Sequence, residues 1–416
     1  MRIIGNAFVK LKADVYLCKG ARNSVIMNCN NGRLYMLDKE AYDCLYGYLN
    51  GTAYTMNEDA NADELIRGLL SKELIILTPN YEASELLPEA SFQSAVDIVW
   101  FELRRACNLK CLHCYDNSAP SADNKEDLLS LEQWENIVEQ LKPFNPKTLV
   151  FIGGEPLLFK GINELIEYSY NALPQTRLVV YSNLTMLNDD NIRCFKECNV
   201  KAVTSLYANC AETHDAITQV KGSFEKTVSA VKKLKATDIA VKANTVIMKP
   251  NQHCIQQTAE FITDLTGSKP KSDVIRCVND DLADLIPTKV ANPHIIRSVN
   301  KIPRPSLKRI TRGQSGHPCW QGKINISYNG FVSPCIMWQP EKTANNSLLS
   351  NSLYGVLEDY IKPVFWGLSK DKIDICKDCE YRYVCNDCRP ISSSLHDRGK
   401  ICSYNPYTGK WDSDLN

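Results

Sequence analysis

The sequence predicts an α/β protein: a parallel β-sheet with helices outside it, preceded by a small α+β module and followed by a cysteine-rich segment. Three observations carry that expectation. Between residues 95 and 276, apolar strand-like runs and helical segments alternate about six times, the pattern of parallel strands joined by crossover helices. Residues 1–92 show short strands and a hairpin signal instead. The chain also holds 18 cysteines, seven of them from Cys319 onward. With 416 residues and 44% hydrophobic content it can bury more than one sizeable core. The expected division is 1–92, 93–300 and 301–416.

In the first segment, residues 15–17, 24–27 and 33–37 are strand candidates, with Asn31-Gly32 as the hairpin turn between the last two. Asp38 caps a helix that runs to about Leu49 and is closed by Gly51. A second helix around 63–70 leads into the apolar run 74–77. A small sheet with helices of this size suits a winged-helix-like binding module, and residues 81–92, rich in Glu, Ser and Pro, form its exit linker. The alternation then places strands at 95–103, 148–152, 177–182, 200–206, 239–248 and 273–276, with helices around 131–141, 163–173, 223–234 and 254–266.

The first strand of the alternation runs into Cys107-Asn-Leu-Lys-Cys111-Leu-His-Cys114-Tyr115. Three thiolates do not close a structural zinc site, and on an iron–sulfur cubane they leave one iron without a protein ligand. An open corner of that kind is where a substrate or cofactor binds. One strand later comes Gly153-Gly154-Glu155-Pro156. Its glycines let backbone approach a ligand, and its carboxylate offers an ammonium group a partner. Ser182-Asn183 and Ser205-Leu206-Tyr207 end the next two strands with polar tips, and Asn244 and Arg276 lie on later strands. Taken singly, zinc, buried cysteines or turn-forming residues also account for these features.

Together, the CxxxCxxC spacing with its following aromatic residue resembles the cluster loop of the radical S-adenosylmethionine (SAM) enzymes, and Gly153-Gly154-Glu155-Pro156 is similar to their GGEP motif. The resemblance implies a [4Fe-4S] cluster on Cys107, Cys111 and Cys114, with SAM chelated by the fourth iron and cleaved reductively to a 5'-deoxyadenosyl radical. It implies a partial (β/α)6 TIM-like barrel with its chemistry at the C-terminal strand ends. It also implies SAM contacts from Tyr115, Gly153, Gly154, Glu155, Ser182, Asn183, Ser205 and Tyr207, with the Glu155 carboxylate on the SAM ammonium. His214-Asp215 followed by Gly222-Ser223-Phe224 resembles a segment of the peptide-modifying members; physically, Ser223 is a good N-cap and Gly222 frees the turn.

Downstream, Cys319, Gly330 and Cys335 precede Cys376, Cys379, Cys385, Cys388 and Cys402. On spacing alone, the two CxxC pairs fit a double zinc ribbon. Their order resembles the seven-cysteine SPASM domain, which holds auxiliary iron–sulfur clusters. The resemblance implies an outer cluster on Cys376, Cys379, Cys385 and Cys402 and an inner one on Cys319, Cys335 and Cys388. Two residues separate Cys385 from Cys388 where the common pattern has three, and residues 313–318 lack the further cysteine that often precedes the position of Cys319. The inner cluster then has an open iron, or takes His317, or takes the distant Cys277. Ile336 follows Cys335 where sulfatase-maturing members carry an aspartate, which argues against that activity.

The chain most resembles the SPASM peptide maturases of grasp-with-spasm systems, through Lys19-Gly-Ala-Arg-Asn-Ser24, Ser205-Leu206-Tyr207 with His214-Asp215, and the run from Cys376 to Arg389. That implies a ribosomally made precursor peptide and an ATP-grasp ligase as partners, an electron donor such as flavodoxin or ferredoxin, and formation of a thioether or other side-chain crosslink. The alternatives are a SPASM oxidase acting on a small molecule or folded protein, and a non-catalytic iron–sulfur electron carrier. Lys+Arg and Asp+Glu both number 48, so no global field favours nucleic acid or an anionic membrane. The first residues lack a signal peptide's apolar core and no apolar run reaches transmembrane length, so a cytoplasmic location is expected. There, so many cysteines mean metal or redox chemistry rather than disulfides.

Overall fold

The computed structural model describes residues 7–121, 128–276, 280–290, 296, 298–338, 341–392, 394–399 and 402–411. The chain opens with β1 (Phe8–Leu11), β2 (Val15–Lys19), β3 (Ser24–Asn28), β4 (Arg33–Leu37), α1 (Lys39–Leu49), α2 (Ala60–Ser71) and β5 (Ile75–Thr78). β2, β3 and β4 form an antiparallel sheet in that order, and β1 pairs with β5. Gly32 takes φ 69° in the turn before β4, where the lack of a Cβ removes the strain. Asp38 accepts from the Ala41 amide at the start of α1. Asp59 accepts from the Asn61 and Ala62 amides at the start of α2, so that helix begins ahead of the expected 63. Leu45, Leu49, Ile66 and Leu69 from the helices meet Val9, Leu17 and Ile26 from the strands in one core.

The alternating region comprises β6 (Ile98–Glu102), α3 (Leu131–Leu141), β7 (Thr148–Ile152), α4 (Ile162–Ala172), β8 (Arg177–Tyr181), α5 (Asp189–Glu197), β9 (Lys201–Ser205), α6 (Ala211–Thr218), α7 (Ser223–Ala236), β10 (Val241–Ile247), α8 (Ile255–Thr266) and β11 (Ser272–Val274). β6, β7 and β8 are mostly apolar runs, as covered parallel strands are, while β10 alternates buried and more exposed residues. α3 is typical of the helices. A Ser130–Gln133 capping box starts it, and Trp134, Ile137, Val138 and Leu141 form its buried stripe, with Trp134 packed on Phe101 of β6 at 4.7 Å between ring centroids.

Beyond α9 (Leu307–Ser315) come β12 (Lys323–Ile326), β13 (Val332–Ser333), α10 (Leu353–Val356), β14 (Tyr404–Asn405) and β15 (Lys410–Trp411). The main sheet has eight strands in the order β11-β10-β9-β8-β7-β6-β12-β13. β6 to β11 run parallel, and β11 does not pair with β6 among the described residues, so this α/β sheet remains open. β12 joins it parallel to β6, from Lys323 opposite Ile98 to Ile326 opposite Phe101.

By contacts the chain divides into two compact units, 94–294 with 322–366 and 1–93 with 295–321 and 367–416. In the latter, the β2–β3 turn packs on the C-terminal loop. The Ala21 amide donates to Asp378 O at 2.7 Å, and Arg382 Nη1 donates to Lys19 O at 2.6 Å. Tyr16, Cys18, Val25 and Met27 share a core with Tyr381, Tyr383 and Val384. A Cβ on Gly20 would stand 2.8 Å from the Glu380 amide nitrogen and 2.9 Å from Asn23 O. Gly20→Val is therefore expected to cost roughly 1–3 kcal/mol through overpacking, read as a lower thermal midpoint; an unchanged midpoint would show that the turn yields freely.

Candidate functional site

The C-terminal ends of β6 to β9 surround a cavity of about 210 Å³. Cys107, Cys111, Cys114, Tyr115, Gly153, Gly154, Ser182, Asn183, Ser205 and Tyr207 all line it. Residues from four strand ends thus meet as the alternation predicts.

Backbone hydrogen bonds set the position of the thiol loop. The Gly154 amide donates to Arg104 O at 2.7 Å and the Glu155 amide to Ala106 O at 3.0 Å, zipping the top of β7 to the start of the loop. A Cβ on Gly154 would lie 2.2 Å from Arg105 O, and one on Gly153, whose φ is 149°, would lie 2.5 Å from Arg104 O. Both glycines are required by this approach of two backbones.

Glu155 is fully buried and does not line the cavity. Its carboxylate accepts from Ser182 Oγ at 2.6 Å, the Asn183 amide at 2.8 Å and the Leu157 amide at 3.0 Å. Burial pushes its pKa up to about 7 against those donors. Here it ties β7 to the end of β8, through two residues that line the cavity. Asn183 Nδ2 in turn donates to Asn108 Oδ1 at 3.0 Å and lies 3.8 Å from Cys107 Sγ.

The three thiols face one cavity. Cys107 Sγ accepts from the Leu109 amide at 3.4 Å, a contact that favours its thiolate, and Cys114 Sγ accepts from the Ser118 amide at 3.3 Å. Burial raises Cys107 to about 11 and Cys111 to about 12. Among the described residues no lysine or arginine lines the cavity, so a bound cationic core is what would offset the burial that raises Cys107 and Cys111. The donor set fits an iron–sulfur cluster with one open iron.

Two histidines also line the cavity: His113, which spacing did not single out, and His214, which the sequence reading named for its resemblance and not as a site residue. His113, half-buried and with its pKa lowered to about 4 by desolvation, sets its ring 4.7 Å from that of Tyr207. His214 stacks on Tyr207 and accepts its amide at Nδ1, 3.2 Å away. Asp215 accepts from the Gly222 amide at 2.6 Å, Ser223 Oγ at 2.8 Å and the Phe224 amide at 2.9 Å. Ser223 is the first residue of α7 and Gly222, with φ 81°, is its cap, so the capping acceptor is Asp215 and the expected Ser223 N-cap is corrected. Asn244 Oδ1 accepts from the Lys271 amide and Arg276 pairs with Asp273; neither lines the cavity.

In the unit that holds the chain's start, Cys376, Cys379, Cys385 and Cys402 line one small apolar chamber of about 30 Å³ with Ile296, Ile302, Tyr404 and Trp411. Four thiols lining one chamber match in number the donor set of a closed four-ligand site. Cys319 and Cys388 belong to the same unit and Cys335 to the other. Cys277 lies outside the described residues. Among the described residues no three His, Cys, Asp or Glu side chains converge tightly enough to grip a single metal ion.

Residues 101–262 match the family model "Radical SAM superfamily". AlbA, the antilisterial bacteriocin subtilosin biosynthesis protein of Bacillus subtilis, is 26% identical over 325 residues, 73% of this chain and 70% of AlbA. The AdoMet-dependent heme synthase of Methanosarcina barkeri is 28% identical over 173 residues, 41% of this chain and 48% of that protein, so the chain spans about half of this second relative. Among solved structures, Streptococcus suis SuiB bound to SAM shares the fold with a TM-score of 0.59 and 14% identity, covering 94% of this chain and 98% of that one; a second SuiB structure, bound to its precursor peptide SuiA, gives 0.55.

Glu102, at the end of β6, supplies a test of these electrostatics. It is 3% exposed, with Asn325 Nδ2 at 3.4 Å and Tyr115 OH at 3.5 Å. Burial first, then the Asp116 charge, push its pKa up to about 7 from 4.5. Between those values the folded chain keeps a proton that the unfolded chain has released, so stability falls as pH rises through the window and stays lower above it. Glu102→Gln is expected to flatten that fall and to stabilise the protein at pH 8 by on the order of 2–3 kcal/mol. Anaerobic melts at pH 5 to 8 check this; parallel curves for both proteins would refute the buried ionisation. The cavity thus lies within and beside the stretch that matches the radical SAM model, residues 101–262, and the chain is similar over nearly three quarters of its length to a bacteriocin biosynthesis protein.

Proposed function

We propose that the protein is a radical SAM/SPASM peptide maturase: it cleaves SAM reductively and modifies a ribosomally made precursor peptide, closing a thioether or other side-chain crosslink. The observation that carries the reading is the single cavity in which three thiols meet Gly153, Gly154, Ser182, Asn183, Ser205 and Tyr207. Cys107, Cys111 and Cys114 would hold the cluster, and the bound cluster with SAM supplies a carbon radical able to abstract a hydrogen atom. The chain's own groups do the rest. Gly153 and Gly154 leave backbone exposed to the ligand, Asn183 and Ser205 offer polar atoms, and the rings of Tyr115, His113 and Tyr207 wall the site.

A peptide substrate is supported by extent of similarity: the match to AlbA runs over 325 residues, far beyond the barrel, whereas that to the heme synthase stays within 173. It is also supported by the N-terminal module. Among the described residues β4 pairs only with β3. Beside β4 lies a groove of about 960 Å³, lined by Leu34 to Leu37, the first turn of α1 and the exposed face of α2. An extended leader peptide added to that strand edge would gain main-chain hydrogen bonds and the Leu34, Tyr35 and Met36 side chains as anchors. Cys376, Cys379, Cys385 and Cys402 would hold an outer auxiliary cluster, and Cys319, Cys335 and Cys388 an inner one. An ATP-grasp ligase and a flavodoxin- or ferredoxin-like donor would be the partners.

Anaerobic reconstitution should yield about twelve irons per chain, four for each cubane, and 5'-deoxyadenosine on addition of dithionite and SAM. Cys111→Ala is expected to abolish that product. Cys376→Ala is expected to lose roughly four irons while still cleaving SAM. Absence of 5'-deoxyadenosine from the iron-loaded parent would overturn the central reading; zinc in the C-terminal region would remove the auxiliary clusters from it.

A further inference from the structure

We propose that His317 ligates, through Nδ1, an iron of the auxiliary cluster to which Cys319 and Cys388 contribute; the inference rests on the auxiliary-cluster reading above. Sequence spacing left that cluster with an open iron, with Cys277 or with His317, and the imidazole geometry distinguishes among them.

His317 follows directly on the helix α9 and its capping Gly316, and is 1% exposed. Its Nε2 lies 3.3 Å from Asp387 Oδ1. Asp387 is also held by Lys370, in a short ion pair, and by Arg389 Nη2 at 2.9 Å. With two cations against it Asp387 is a carboxylate, an acceptor only, so the hydrogen shared with His317 belongs to Nε2. The imidazole proton being there, Nδ1 presents a bare lone pair. That atom is buried and has no hydrogen-bond partner.

A desolvated lone pair without a donor is unfavourable in a folded protein and calls for a partner outside the chain. A ring that gives one N–H to a carboxylate and keeps its other nitrogen bare is also how metal-bound histidines are arranged. The carboxylate fixes the tautomer and strengthens the ligating nitrogen as a donor. Placement in the chain agrees. Cys319 stands two residues after His317, and Cys388 directly follows the Asp387 that orients the ring. All four residues belong to the same compact unit. Imidazole replaces thiolate on iron in Rieske centres and raises their potential, so His317 would make this cluster easier to reduce than an all-thiolate one.

The test uses the full chain carrying Cys107→Ala, Cys111→Ala and Cys114→Ala, so that only auxiliary clusters are loaded, with natural or 15N-labelled histidine. Iron is counted first, then the dithionite-reduced protein is measured by pulsed EPR. The expected result is about eight irons per chain and a nitrogen hyperfine coupling of directly bound imidazole that changes with the label. It should vanish in His317→Cys while the iron count holds. Eight irons without that coupling, or a coupling that survives in His317→Cys, overturns the proposal. If His317→Cys does not fold, the label decides whether an imidazole is bound and His317→Gln decides whether it is this one. About four irons, or zinc, in the parent would overturn the auxiliary-cluster reading itself, and this inference with it, before any EPR is recorded.

Discussion

The arrangement of the cavity depends on one close approach of backbones, where Gly153 and Gly154 lie against Arg104 to Ala106. No side chain fits between these segments, so the top of β7 and the root of the thiol loop are held at van der Waals distance. From there the order propagates by hydrogen bonds. Glu155 turns away from the cavity and anchors Ser182 and Asn183; Asn183 reaches Asn108 in the thiol loop; Thr227 of α7 holds Asn183 O at 2.9 Å. The ring of contacts around the three thiols therefore closes through buried polar groups. Removing one member strands its partners at about 1–3 kcal/mol each, which makes this end of the sheet rigid before any ligand arrives.

The two thiol sites differ in charge environment. The cavity at the strand ends offers its sulfurs amide donors but, among the described residues, no lining lysine or arginine, so its charge balance is left to what binds. The chamber of Cys376, Cys379, Cys385 and Cys402 has Lys370 beside it, fully buried, with its charge acting to lower the Cys376 and Cys385 thiols against the effect of burial. Asp387 keeps that lysine and Arg389 paired.

Much of this was legible in the sequence for physical reasons. The parallel strands β6, β7 and β8 are mostly apolar runs, and the three thiols, the two glycines and the polar strand tips converge because all sit where parallel strands end. What escaped notice lacks a local signal. α5 buries only Asn191, Cys194 and Phe195, so its apolar stripe is too thin to read, although the Asn188–Asn191 capping box marks its start. β12 lies far from β6 in sequence, and no periodicity in Lys323–Ile326 says which strand it will join. The direction of the Glu155 side chain and the inward placement of His113 are set by packing, on which residue spacing is silent.

The chain's start and its cysteine-rich end looked like separate signatures, yet they are two sides of one contact. The turn from Lys19 to Ser24 has a glycine where a Cβ would meet the Glu380 backbone, an exposed carbonyl at Lys19 that takes Arg382, and an amide at Ala21 that takes Asp378 O. Asp378 and Glu380 flank Cys379, a wall of the four-thiol chamber. Each half thus satisfies backbone groups that the other leaves open, and buried groups of that kind are costly when unpaired. The peptide-binding module that we propose is consequently built onto the loop that would carry an auxiliary cluster. The β2–β3 turn and the loop that bears Cys379 are thus joined by direct backbone contacts.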